Sequence, residues 1–136
     1  MKTSNGEPTI DISLVILTFN RTEALRRCLN STSVINKGEL SVEVIVVDDG
    51  SEIDNLPVVN QFTDILDVTY FKKINQGVAS TRNFGLRKAR GKFIGFIADD
   101  YTLPESYFHS SMRKCTTLEE VNLGGHGRAI QSVEHR

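Results

Sequence analysis

Cysteine is scarce in this chain, long apolar runs are missing, neither sign of charge dominates, and the familiar glycine-rich phosphate loops are absent. Each gap closes off a class of function. Cys28 and Cys115 stand far apart, with no CxxC spacing and no secretory signal ahead of them, so a disulfide or zinc framework has no support. Two reduced thiols in a cytoplasmic protein are expected. No segment approaches the roughly 18 apolar residues that cross a bilayer. The net charge of −1, from 16 basic and 17 acidic residues, supplies no field to gather nucleic acid or an anionic membrane. Any anionic ligand must be held by local geometry. There is no P-loop, and no GxGxxG follows the first apolar run, so neither glycine loop cradles a phosphate.

What is there reads as one domain with a real core: 136 residues, 39% hydrophobic and 24% charged. Residues 1–9 are polar and aperiodic, a loose lead-in, and the folded unit runs over 10–136. "IDISLVILTF" (Ile10 to Phe19) and "VEVIVV" (Val42 to Val47) are apolar with little alternation, as in strands covered on both faces. Asn20 or Thr22 can cap a helix in which Leu25, Cys28 and Leu29 share a face. Pro57 suits the start of a second helix. "DVTYFKK" reads as a shorter strand and "VASTRNFGLRKAR" as a helix that Gly91 can stop. "FIGFIA" (Phe93 to Ala98) is a buried strand, and a helix is expected from about Glu105 to Lys114. The closing "VNLGGHGRAIQSVEHR" can start one more strand. Strands alternating with helices predict an α/β fold, a Rossmann-like, mostly parallel sheet with helices on both faces.

In such sheets ligands bind beyond the carboxyl ends of the strands. The four strands end at "TFNR" (Thr18 to Arg21), "DDGS" (Asp48 to Ser51), "NQG" (Asn75 to Gly77) and "ADD" (Ala98 to Asp100), so the polar clusters fall at one edge. Taken singly, "DDGS" is also a turn and helix-cap signal, and Arg82 and Asn83 suit a solvated helix face. Asp99 and Asp100 differ, because adjacent carboxylates after an apolar strand repel unless a cation or a donor set neutralises them. A hard cation, Mn²⁺ or Mg²⁺, takes one or two carboxylates and fills its other positions with water and phosphate oxygens. A nucleoside diphosphate bound through such a metal is the ligand this pattern favours.

In this order and spacing, "ILTFNR", "VIVVDDGS", "NQGVASTRNFG" and "ARGKFIGFIADD" resemble the nucleotide-binding part of a family 2 glycosyltransferase with the GT-A fold. The resemblance covers about Ile12 to Pro104. It implies that Thr18 and Phe19 line the base pocket, with Phe19 stacking, and that Asp49 accepts a hydrogen bond from the imino group of a uracil-like base. Asp48 would support that loop, and Asn20, Arg21, Gly50 and Ser51 belong to the same two nucleotide-binding turns. Asn75, Gly77, Arg82 and Asn83 would border the sugar nucleotide, and Arg82 could also pair with the aspartates inside the protein. Asp99 would reach the ribose or the metal, and Asp100, the last residue of a D-x-D motif, would ligate the metal. Leu17 replaces the family's proline, and Ala98 replaces the first aspartate of D-x-D.

The resemblance further implies metal-assisted transfer of a sugar, with inversion, from a nucleotide diphosphate donor to a carbohydrate or lipid-linked acceptor, as in cell-surface polysaccharide synthesis. The family's general base lies beyond the length of this chain, and Glu105, Glu119 and Glu120 read as helix-surface residues. His126 reads as a loop residue. A non-catalytic nucleotide-binding fragment is therefore the alternative. Other classes lack their marks. An aspartate-nucleophile phosphohydrolase needs an acid where Val47 stands, and a receiver domain needs its acidic pair where this chain has "TFNR". A Rossmann dehydrogenase needs the missing glycine fingerprint.

Overall fold

The structure, a computed structural model, describes residues 10–35, 37–104 and 107, together with the backbone of 129–130. The elements are β1 (Ile12–Thr18), α1 (Thr22–Val34), β2 (Val42–Asp48), α2 (Leu56–Asn60), β3 (Val68–Lys72), α3 (Val78–Lys88), β4 (Phe93–Ala98) and β5 (Ala129–Ile130). They form one sheet in the order β3-β2-β1-β4-β5 with every pair parallel. The weak alternation of β1 and β2 has its reason in the two faces they cover. Ile12, Leu14, Ile16, Val44 and Val46 pack on one side with Leu25, Cys28 and Leu29 of α1 and Val58 and Val59 of α2. Val15, Ile45, Val47, Ile94 and Phe96 pack on the other, against Phe84 and Leu86 of α3. A strand buried on both faces gains from apolar residues at every position.

From β1 the chain steps outward to β2 and β3, then α3 carries it back across the opposite face to β4 on the far side of β1. The sheet therefore reverses direction between β1 and β4. Such a reversal leaves a crevice beyond the strand ends, with α1 after β1 covering one face of the sheet and α3 before β4 the other. Register sets the level of that crevice: Thr18 pairs with Asp48, and Leu17 with Ala98.

Two local expectations are corrected. Asn20 and Thr22 do not cap α1: Arg21 stands at the N-cap with no side-chain hydrogen bond. Asn20 Oδ1 instead accepts from Glu52 N (2.8 Å), and the Thr22 hydroxyl donates to Asn55 Oδ1 (2.7 Å). Gly91 does not stop α3, which ends at Lys88 with an extended Ala89. Gly91 is required by closeness, since a Cβ there would lie 2.6 Å from Ser13 N. Pro57 does lie in the first turn of α2. β5 falls in the last segment and pairs with β4, Ile94 with Ala129. Apart from Tyr107, which is buried, the helix expected over 105–114 lies outside the described residues, as do Glu119, Glu120 and His126. Among the described residues no helix is long and apolar enough to cross a membrane.

Candidate functional site

Asp48 and Asp49 leave β2 in opposite directions and have different surroundings. Asp48 is fully buried and accepts from Ser51 N (2.8 Å), Asn55 Nδ2 (3.0 Å) and the Tyr70 hydroxyl (2.6 Å). Those donors come from the loop itself and from β3, so Asp48 ties the loop down. Burial, and then the Asp48 hydrogen bond, push the Tyr70 phenol up and keep it a donor. Ser51 is buried beside Asp48, and its Oγ accepts from Asn20 N (2.7 Å), which ties the first turn to the second.

Asp49 faces the other way. Its Oδ1 accepts from Gln76 N (2.9 Å) and Lys73 Nζ (3.0 Å), and its Oδ2 accepts from Gly77 N (2.9 Å). Burial pushes this carboxyl up. The Gln76, Lys73 and Gly77 hydrogen bonds and the Lys73 charge outweigh that and hold it below the usual carboxylate range. Asp49 is thus an ionised acceptor. A carboxylate offers about four acceptor positions, and three donors are already seated. Gly77 has φ +96, a backbone region that L side chains rarely adopt, and this directs its N–H at Asp49 where α3 begins.

Asp99 and Asp100 also diverge. Asp99 is buried and turns back to accept from the Thr18 hydroxyl at 2.8 Å, whereas the Asp100 side chain is 60% exposed. Burial raises the Asp99 carboxyl, against the Thr18 hydrogen bond and the Arg21 charge; Asp100 adds to the rise. The repulsion evident in the sequence is eased by this divergence and by Arg21, whose Nη1 lies 3.1 Å from Asp100 Oδ2 and 3.8 Å from Asp99 Oδ1. Behind them, burial first and then the Asp99 and Asp100 charges push the Cys28 thiol up to about 12. Cys28 is therefore an inert core residue.

A cleft of about 450 Å³ opens at the reversal between β1 and β4. Thr18, Phe19, Arg21, Asp49, Arg82 and Asp99 of the expected set line it. Phe19 keeps 43% of its surface exposed there. Arg82 does not pair with the aspartates among the described residues; its guanidinium lies 4.5 Å from the Phe96 ring centroid, a cation-π contact in the cleft wall. Asp48, Gly50 and Ser51 do not line the cleft. A Cβ on Gly50 would come within 3.0 Å of Asn75 N, so the second and third turns pack directly on each other. Asn75 and Asn83 are exposed and do not line the cleft. Sequence reasoning missed Lys73, Asn55 and Tyr70, which hold the two aspartates, and Val78, Thr81 and Phe96, which form the apolar wall. Lys73 follows directly on a strand, a position at the correct edge that could have marked it.

The family model for glycosyl transferase family 2 matches residues 13–134. Among curated relatives, the hyaluronan synthase of Pasteurella multocida is 30% identical over 125 residues, covering 90% of this chain and 13% of the relative. A putative glycosyltransferase, EpsH of Bacillus subtilis, is 31% identical over 115 residues, covering 82% and 32%. This chain thus spans a third or less of the length of either protein. Two solved structures share its fold, that of the GT-A glycosyltransferases. Residues 1–349 of Staphylococcus aureus TarS, in complex with UDP-GlcNAc, superpose with a TM-score of 0.72 at 24% identity, over 79% of this chain and 32% of that one. The mannosyltransferase PcManGT of Pyrobaculum calidifontis, with GDP-Man and Mn²⁺, gives 0.65 at 20%, over 73% and 30%. With its strand-end motifs gathered at the crevice and the family match spanning nearly its whole length, the chain belongs to glycosyl transferase family 2.

Proposed function

We propose that this cleft binds the nucleotide of a sugar donor, uridine diphosphate by preference, together with Mn²⁺ or Mg²⁺ at Asp100 and Asp99. The activity served is transfer of the sugar, with inversion, to a hydroxyl of a carbohydrate or lipid-linked acceptor in polysaccharide synthesis at the cell surface. One observation carries the reading: Asp49 after β2, Asp99 after β4 and Thr18 of β1 line one cleft at the reversal point, and Asp49 there keeps a single unfilled acceptor position. A uracil ring presents one imide N–H, which that position can accept. Guanine presents two adjacent donors and would leave one unpaired, which costs about 1–3 kcal/mol in a desolvated site. Phe19, exposed on the cleft wall, offers a face for the base.

The donor set also fits a cation of the hard, oxygen-seeking kind. Among the described residues no three His, Cys, Asp or Glu side chains gather into a cage. Two carboxylates, one exposed and one buried, suit an ion that brings phosphate oxygens with it. When bound, such an ion neutralises the charge that develops on the departing diphosphate. Asp49 orients the base, Thr18 holds the Asp99 carboxylate in position, and the Arg82–Phe96 wall bounds the cleft on the α3 side. In the transfer the acceptor oxygen bonds to the anomeric carbon as the bond from that carbon to the diphosphate oxygen breaks. The acceptor proton passes to a carboxylate base.

Among the described residues, Asp49 and Asp99 are the carboxylates lining the cleft, and both are engaged. This favours a second reading, in which these residues bind the donor without turning it over. Calorimetry with UDP and GDP, with and without Mn²⁺, tests the binding. UDP should bind about tenfold more tightly than GDP. Mn²⁺ should strengthen UDP binding in the parent, and Asp100→Ala should erase that increment while leaving metal-free affinity intact. Equal affinity for the two nucleotides, or an unchanged increment in the variant, would contradict the assignment. Hydrolysis of a UDP-sugar separates a working centre from a binding module.

A further inference from the structure

The Arg21 guanidinium lies where a cation shared by Asp99 and Asp100 would sit. We propose that Arg21 is the resident counter-cation of this acidic pair, displaced when the divalent ion arrives with its diphosphate, so that metal binding is weak until nucleotide is present. The inference rests on the metal reading above and adds a role for Arg21 that the family match does not assign.

The geometry allows the exchange. The backbone around Arg21 is anchored, since Asn20 N donates to Ser51 Oγ and Asn20 Oδ1 accepts from Glu52 N. Its side chain is 53% exposed, so it can move while the turn stays in place. Arg21 lines the main cleft on one side and, on the other, a neighbouring groove walled by Asn20, Thr22, Glu23 and Glu52. A guanidinium that swings out of the first therefore meets carboxylates in the second. The Arg21–Asp100 contact is exposed at both partners, and a pair of that kind is readily broken and sensitive to salt. Without Arg21, Asp99 and Asp100 would face each other's charge unshielded and would bind a divalent ion more strongly. The diphosphate supplies the negative charge that makes up for Arg21's opposition to a second cation nearby. Nucleotide and metal should accordingly bind with positive coupling, and by linkage each strengthens the other by the same factor.

Mn²⁺ titration followed by electron paramagnetic resonance, with and without UDP, tests this on the full chain. In Arg21→Gln, Mn²⁺ alone should bind about fivefold more tightly than in the parent, and the factor by which UDP strengthens it should fall correspondingly. Arg21→Lys keeps the charge and should stay within about twofold of the parent on both counts. The gain in the glutamine variant should shrink in high salt, which a loosened fold would not reproduce. Mn²⁺ affinity in Arg21→Gln that equals or falls below the parent's, with UDP-dependent Mn²⁺ binding preserved in the parent, overturns the counter-cation role alone. No Mn²⁺ binding to the parent even with UDP overturns the metal reading beneath it, and this inference with it.

Discussion

The two ends of the central strands hold buried acids at matched positions and use them in opposite ways. At the amino end, Glu43 is 4% exposed and accepts from the Ser13 hydroxyl, Arg90 N (2.8 Å), Arg90 Nε (3.1 Å) and Arg90 Nη2 (2.8 Å), while Gly91 N donates to Ser13 Oγ (2.7 Å). Its four acceptor positions are filled by the protein. At the carboxyl end, Asp49 has one position left, Asp100 is exposed, and Arg21 is held by an exposed pair with Asp100 and a longer contact to Asp99. A closed network joins β1, β2 and the lead into β4; an open one leaves capacity for a guest. A buried acid therefore says little about function until its partners are counted.

The sharpest way to break the comparison is to remove an acid from each end. Glu43→Ala leaves the Ser13 hydroxyl and Arg90 N without their acceptor and should cost about 2–3 kcal/mol of stability in urea unfolding, the Arg90 side chain contributing little because it is 66% exposed. UDP affinity of the folded variant should be unchanged. Asp49→Asn should do the reverse, weakening UDP by about thirtyfold in calorimetry, the scale of a lost hydrogen bond to a charged group, with a smaller loss of stability. If Glu43→Ala weakened UDP as much as Asp49→Asn did, the two ends would not be functionally distinct.

The smallest effect concerns pH. Because the folded Asp49 value is depressed, its contribution to stability is complete above the ordinary value of 3.8 and is lost as pH falls through the lower folded value. The stability difference between parent and Asp49→Asn should then be constant from pH 8 to 5 and close only below about pH 4. A difference that already closes between pH 6 and 5 would mean that Asp49 is not held ionised by Lys73 and the two backbone donors.

Much of this was legible because strand ends announce themselves. Apolar runs that stop at Thr18, Asp48 and Ala98 place their following residues at one edge once the connections are known to be parallel. That is a local signal read against a topological rule. What was not legible depends on pairings distant in sequence. Tyr70 reaches Asp48 across 22 residues and Lys73 reaches Asp49 across 24, and neither residue type at those positions signals its partner. Asn20 and Thr22 carried cap chemistry, but the second turn and Asn55 compete for the same side-chain atoms and hold them. Gly91 resembled a helix stop because a close approach to Ser13 and a positive-φ cap call for the same residue. Arg82 carries a charge that could pair with the aspartates, but its guanidinium lies over the Phe96 ring and Arg21 takes that place.

Backbone amide shifts recorded while UDP and Mn²⁺ are added to the isotopically labelled chain test the central claim most directly. The account predicts movement at Asp49, Gln76, Gly77 and Asp99, with Ser13, Glu43 and Gly91 still at their starting positions at saturation. Shifts concentrated at Ser13, Glu43 and Gly91, or no shifts at either end, would contradict it.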